Sequence, residues 1–149
     1  MKVGKFVEVE PGFSVSPQLV QSDLDEAAAQ GFVLIVNNRP EEEESGQPLG
    51  TDLAAHAQGL GMDWIDVPVT HAGFSSSQVE RLGAALEQAD GPVLAYCRSG
   101  TRSTMLWALA QARAGRHPAE LHDRAGAAGY DLTGLRPLLD QQYAAAAAR

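Results

Sequence analysis

The feature that most constrains the fold is a set of short, largely apolar runs separated by segments with helical periodicity. The runs are residues 32–36, 64–67 and 93–96. A strand that is apolar at nearly every position is typical of a parallel sheet, because crossover helices cover both of its faces. Between the second and third runs, Val79, Leu82 and Leu86 lie at helical spacing. The alternation predicts an α/β fold with a central, mostly parallel sheet of about four or five strands flanked by helices.

Length and composition fit one globular unit. The chain has 149 residues, of which 44% are hydrophobic and 20% are charged. About 100–200 residues is the usual size of one domain, so we expect residues 1–149 to form a single domain. The alanine-rich end, residues 144–149, is predicted to be a frayed tail.

The charge balance disfavours several classes of partner. Nineteen acidic residues against eleven basic ones give a net charge of −8. An acidic surface repels phosphate backbones and anionic lipids, so we expect neither nucleic acid nor membrane as a partner. The longest apolar stretches, residues 32–36 and 144–148, are too short to span a bilayer. Residues 1–10 contain no run resembling a signal peptide. These features predict a cytoplasmic protein.

Groups that could bind a metal are few and poorly spaced. Cys97 is the only cysteine, which excludes an internal disulfide and any multi-cysteine zinc or iron–sulfur site. His117 and His122 are five residues apart, about 140° around a helix, and do not share a face. We therefore predict no metal and no cofactor.

Cys97 is the predicted nucleophile. It joins the last predicted strand to the helix that follows, and ligands of open α/β sheets bind beyond the carboxyl ends of the strands. A tight loop entering a helix presents backbone N–H groups to an anion. That field, together with Arg98 and Arg102, favours the thiolate. Gly100 permits the positive φ that such a cradle requires. A buried structural cysteine is the alternative, which this setting disfavours.

Five further residues are candidates for the anion pocket: Ser99, Thr101, Ser103, Arg39 and His71. We expect Ser99 and Ser103 to be able to hydrogen-bond the Cys97 sulfur, although capping the helix is a competing role for Ser103. Arg39 is either a third pocket cation or a surface arginine paired with the glutamates at 41–44, which we interpret as a solvated loop. His71 is placed to line the pocket or to donate a proton.

The residues around Cys97 resemble two families. The sequence Cys-Arg-Ser-Gly-Thr-Arg at 97–102 matches the active-site loop of rhodaneses, whose cysteine carries a persulfide. Segments 13–16, 38–40 and 67–69, together with this loop, resemble the phosphatase-like domain of the β-lactamase hydrolase-like family over about residues 11–115. That resemblance implies the protein tyrosine or dual-specificity phosphatase fold. It also makes a persulfide dioxygenase domain a candidate partner.

The two resemblances imply different reactions. Tyrosine and dual-specificity phosphatases place five residues between the cysteine and the arginine, whereas four separate Cys97 from Arg102. Such phosphatases also use an aspartic acid to protonate the leaving group, and residues 70–74 contain no carboxylate. Sulfur transfer needs no such acid, because sulfite leaves thiosulfate as a stable anion.

From this comparison we expect a sulfurtransferase. It would move sulfane sulfur from thiosulfate or a persulfide, through a Cys97 persulfide, to a thiol such as glutathione. The first alternative is a cysteine-dependent phosphoester hydrolase of the dual-specificity type. The second is a non-catalytic domain that senses an anion or the redox state of Cys97.

Overall fold

The computed structural model describes residues 5–148. Its elements, in chain order, are β1 Val7–Glu10, β2 Phe13–Ser16, α1 Gln21–Ala29, β3 Leu34–Asn37, α2 Gly50–Gly59, β4 Asp63–Asp66, α3 Ser76–Gln88, β5 Val93–Tyr96, α4 Thr101–Arg113, α5 Pro118–Ala127, a 3-10 turn Thr133–Leu135 and α6 Arg136–Ala147. Among these residues, no helix is long and apolar enough to cross a membrane.

The five strands form one sheet in the order β1-β2-β5-β3-β4. β2, β5, β3 and β4 run parallel, and only β1 is antiparallel, paired with β2. The central strands β5 and β3 are buried at every position, as their apolar sequences predicted. Tyr96 lies opposite both Ser16 and Asn37, so the carboxyl ends of three strands are level. The segments that follow β2, β3 and β5 therefore lie together at one edge of the sheet.

Alternate residues of the central strands face two separate cores. Leu34 and Val36 belong to the larger core, on the face covered by α3, α4, α5 and α6. Ile35 belongs to the smaller core, on the face covered by α1 and α2. Trp107 of α4 is completely buried and stacks on Phe13 at 5.8 Å between ring centroids. Helices therefore cover both faces, as expected for a largely parallel sheet.

The prediction of a frayed tail at residues 144–149 was wrong for most of that segment. α6 continues to Ala147, because alanine has the highest helix propensity and the preceding turns are anchored. Leu139 is completely buried, and the ring of Tyr143 lies 5.2 Å from that of His117. Arg149 lies outside the described residues.

Candidate active site

Cys97 lies at the carboxyl end of the central strand. β5 ends at Tyr96, and the Cys97 N–H extends its pairing with β2 by donating to the Ser16 carbonyl at 3.3 Å. Four residues later α4 begins. The Cys97 side chain is 0% exposed, so the site is closed over the sulfur in this structure. A substrate reaches the sulfur only after neighbouring side chains move.

The backbone of Gly100 holds the cysteine sulfur. Its N–H donates to Cys97 Sγ at 3.1 Å. Gly100 is also the N-cap of α4, with φ at 90°, a left-handed conformation that favours glycine. A Cβ at this position would collide with the hydroxyl of Tyr130. The positive φ expected from the sequence is therefore present, and it directs an amide at the sulfur.

The three hydroxyl groups of the loop lie in different environments. Ser99 Oγ and Thr101 Oγ1 hydrogen-bond each other at 3.0 Å near the surface, rather than the Cys97 sulfur. Ser103 is completely buried, and its Oγ has no hydrogen-bond partner within residues 5–148. The capping role considered for Ser103 is wrong, because α4 begins at Thr101 and Gly100 is the N-cap. Ser103 also makes no hydrogen bond to the Cys97 sulfur in this structure, and its buried hydroxyl is left unpaired at an energetic cost.

The guanidinium of Arg102 is fixed along two of its three edges. Nη1 and Nη2 donate to the two carboxylate oxygens of Glu43 at 2.7 and 2.8 Å, and Nη1 also donates to the Val69 carbonyl at 2.7 Å. The pKa of Arg102 is raised, first by the hydrogen bond to Glu43 and also by the nearby Cys97 side chain. An arginine has five N–H donors. Within residues 5–148, no oxygen accepts from the Nε–H or the second Nη2–H, which share an edge, and the guanidinium is close enough to the Cys97 side chain to hydrogen-bond it.

Glu43 is a site residue that the sequence interpretation missed. We expected residues 41–44 to be a solvated loop, yet the Glu43 side chain is only 15% exposed. Its carboxylate also accepts a hydrogen bond from Arg39 Nε at 2.9 Å. The hydrogen bond from Arg102 lowers the pKa of Glu43 to about 2, with Arg39 contributing in the same direction. The signal in the sequence was the i,i+4 spacing of Arg39 and Glu43.

Arg39 and Arg98 are both bound to this acidic loop. The Arg39 side chain is 2% exposed and donates to Gln18 at 2.9 Å and to Glu44 at 3.3 Å in addition to Glu43. It pairs with the glutamates as one of our two interpretations held, but it is buried rather than at the surface. Arg98 is 64% exposed and pairs with Glu44 at 3.2 Å. Glu43 and Glu44 thus form ion pairs with the three arginines Arg39, Arg98 and Arg102.

His71 lies on the exposed turn that follows Val69. The turn is closed by the Gly73 N–H, which donates to the Thr70 carbonyl at 3.2 Å. Because the Val69 carbonyl bonds Arg102, this segment begins beside the pocket. His71 has no hydrogen-bond partner among residues 5–148. Its predicted role as a proton donor or pocket wall stays a prediction.

Comparisons with known proteins agree with this architecture. The family model for the phosphatase-like domain of β-lactamase hydrolase-like proteins matches residues 5–114. A β-lactamase hydrolase-like protein of Agrobacterium fabrum is 32% identical over 142 residues, 95% of this chain and 33% of that protein. One from Xylella fastidiosa is 31% identical over 129 residues, 86% of this chain and 30% of that protein. The chain therefore spans about a third of the length of the curated relatives that it matches.

Solved structures show the same fold. A phosphatase candidate from Neisseria meningitidis has a TM-score of 0.80 and 34% identity, covering 91% of this chain and 96% of its own. The phosphatase Tk-PTP has a TM-score of 0.76 at 17% identity, covering 94% and 97%. Kinase-associated phosphatase has a TM-score of 0.77 at 16% identity, covering 97% and 96%. The predicted protein tyrosine or dual-specificity phosphatase fold is thereby confirmed.

Proposed function

The chain belongs to the β-lactamase hydrolase-like family through its phosphatase-like domain, and on this basis we propose that it is a cysteine-dependent phosphatase acting on small phosphoesters. The family and the fold of its neighbours favour this alternative over the sulfurtransferase that the loop length led us to expect. What the longer relatives do as whole proteins is a separate matter, since this chain corresponds to about a third of them.

The edge of Arg102 that binds no oxygen within residues 5–148 is the observation that carries the proposal. Two parallel N–H donors on one guanidinium edge match two oxygens of a phosphoryl group, a strong and specific arrangement. Glu43 and Val69 occupy the other edges, so the guanidinium is fixed before substrate arrives. The Gly100 N–H at Cys97 Sγ stabilises negative charge on the sulfur. An oxyanion donor and a nucleophile thus lie side by side.

The proposed reaction has two steps. The Cys97 thiolate attacks phosphorus, the S–P bond forms, and the P–O bond to the leaving group breaks with its electron pair on that oxygen. Water then attacks the phosphocysteine, the S–P bond breaks, and the thiolate and inorganic phosphate are released. Arg102 holds two phosphoryl oxygens through both steps. Because the sulfur is buried in the closed site, substrate binding must first displace neighbouring side chains.

Protonation of the leaving group limits the substrates. With its pKa near 2, Glu43 is ionised at neutral pH and holds no proton to donate. The segment 70–74 carries no carboxylate, and His71 is the titratable group that we propose there. Without an efficient acid, esters whose alcohol is already a good leaving group should react fastest. We therefore propose aryl phosphates as the preferred class.

A series of aryl phosphates, from nitrophenyl to phenyl phosphate, tests the proposal through the rate of phosphate release. We expect a steep fall in rate as the leaving phenol becomes less acidic, and complete loss of activity in Cys97→Ser. In His71→Gln, the fall should become steeper if His71 donates the proton. Hydrolysis that is absent in wild type, or that persists in Cys97→Ser, would reject the phosphatase assignment.

Sulfur transfer is the second candidate, on the observation that only four residues separate Cys97 from Arg102. The Nε edge of Arg102 would bind the oxygens of thiosulfate as well as those of phosphate. Intact mass spectrometry after incubation with thiosulfate distinguishes the two in the same preparation. A mass gain of one sulfur atom, lost again on adding glutathione, would favour the sulfurtransferase. No mass gain together with Cys97-dependent phosphate release would favour the phosphatase.

A further inference from the structure

We propose that Tyr130 is a positioning residue that fixes the peptide group stabilising the Cys97 thiolate. This role for Tyr130 rests on the proposed function only because it takes Cys97 as the nucleophile. Tyr130 follows α5 and lies beyond residues 5–114, the part matched by the family model. It is therefore an element of the site supplied by the C-terminal part of this chain.

One peptide group connects Tyr130 to the sulfur. The Tyr130 hydroxyl donates to the Ser99 carbonyl at 3.2 Å, and the Gly100 N–H donates to Cys97 Sγ at 3.1 Å. The Ser99 carbonyl and the Gly100 N–H are the two ends of the same trans peptide, and they point in opposite directions. Holding the carbonyl therefore holds the N–H toward the sulfur.

Gly100 makes this restraint necessary. A glycine populates positive and negative φ about equally, so its backbone reorients more readily than that of any other residue. The Tyr130 hydroxyl fills the space next to its Cα, where a Cβ would collide with it. Tyr130 thus blocks that space as well as bonding the carbonyl.

Tyr130 is itself held in place and stays protonated. Its N–H donates to the Ala125 carbonyl at 2.8 Å, and its ring packs against the larger core. Burial raises its pKa, and negative charge on Cys97 raises it further. A protonated phenol donates to the Ser99 carbonyl, which cannot donate in return. At 3.2 Å the hydrogen bond is long for a hydroxyl donor, so a modest effect on the thiolate is expected.

The test is the pKa of Cys97 in Tyr130→Phe, which keeps the ring and removes only the hydroxyl. Because Cys97 is the only cysteine, thiolate absorbance as a function of pH, with Cys97→Ser as the blank, reports a single group. We expect the pKa of Cys97 to rise, with a roughly two- to tenfold fall in its ionisation constant. Tyr143→Phe is the matched control, since that ring lies tilted against His117, 5.2 Å between centroids, and not against the loop. Thermal melting verifies that both variants fold.

An unchanged pKa of Cys97 in Tyr130→Phe would overturn the proposal, even if the variant were less stable, because a purely structural tyrosine would affect stability alone. An equal shift in Tyr143→Phe would overturn it as well. The readout needs no turnover. A shift in a protein that hydrolyses no phosphoester would reject the phosphatase assignment and leave the role of Tyr130 supported.

Discussion

At the residue scale, the arrangement of Glu43 is as informative as that of Cys97. Its carboxylate takes the Nη1–Nη2 edge of Arg102, a geometry that a bound oxyanion would also adopt. Its bonds from Arg102 join the loop after β3 to the start of α4, and its bond from Arg39 holds it within that loop. Glu43 therefore fixes the direction of Arg102 and leaves the Nε edge for substrate. In this position the Glu43 carboxylate also repels an incoming anionic substrate.

Replacing Glu43 by Gln should destabilise the protein at neutral pH. The variant loses charged hydrogen bonds to Arg102 and Arg39, each of which contributes about 1.5–3 kcal/mol. We expect a fall of about that size in the free energy of unfolding, measured with urea at pH 7. Glu42→Gln is the matched control, since Glu42 is exposed on the same loop, and it should change stability by less than about 0.5 kcal/mol. Equal effects of the two variants would contradict the role of Glu43.

The difference between wild type and Glu43→Gln should also depend on pH. The pKa of Glu43 falls from its ordinary value of 4.5 to about 2 in the folded protein. A lowered pKa means that the folded state favours the charged form, so the contribution is complete above pH 4.5 and is lost as pH falls toward 2. Urea unfolding of both proteins at several pH values should show the difference shrinking over this interval. A difference independent of pH would contradict the ion pair.

Gly100→Ala should damage both stability and the site. Its φ of 90° is unfavourable for alanine, at about 1–3 kcal/mol, and the new methyl group would collide with Tyr130. We expect destabilisation of at least this size and a higher pKa of Cys97, measured by urea unfolding and thiolate absorbance. Gly126→Ala is the matched control, because Gly126 lies within α5 with open space around it. It should stabilise the protein by about 0.5–1 kcal/mol.

At the element scale, the segment between Val69 and α3 is held at both ends. Val69 bonds Arg102, and Ser75 caps α3 by accepting from the Gln78 N–H at 3.3 Å, while the Gln78 side chain bonds the Ser75 N–H at 2.8 Å. This reciprocal capping box satisfies two backbone donors at the start of the helix. The turn that carries His71 therefore spans two fixed points.

Ser75→Ala should weaken the start of α3. Loss of an N-cap side chain typically costs about 1 kcal/mol, and we expect that decrease in the free energy of unfolding. Ser76→Ala, one residue later at the exposed first position of the helix, should have an effect below about 0.5 kcal/mol. If His71 acts in catalysis, Ser75→Ala should also lower the aryl phosphatase rate.

The sequence predicted elements whose pattern is local, and it missed those decided by tertiary contacts. β5 was predicted with its observed bounds, since its four apolar residues are buried on both faces. β1 was missed because its alternating valine and glutamate residues are stabilised by pairing with β2. Among the site residues, Cys97 and Gly100 follow from a strand–loop–helix pattern. Glu43 does not, because an acidic run in a loop resembles a solvated surface until the arginines it meets are located.

At the scale of the whole molecule, the C-terminal part completes the core. Leu121 and Leu139 are completely buried in the larger cluster, although they lie outside residues 5–114. A chain cut after residue 114 should therefore lose cooperative unfolding, as measured by thermal melting. A chain cut after Ala144 is the control, since the residues removed are mostly exposed, and it should melt close to wild type. A cooperative transition in the shorter chain would show that residues 5–114 fold alone.

The sheet order has a consequence for how copies of the protein behave toward one another. β1 and β4 are the two edge strands, and an open edge is a template for pairing with a strand of another molecule. β4 is four residues long with exposed Asp63 and Asp66 at its ends, and β1 has an irregular register between Glu8 and Glu10. Like charges and broken register oppose edge-to-edge self-association. Removing these charges by substitution should weaken that protection, so a variant with neutral edge residues should self-associate more readily than the wild type.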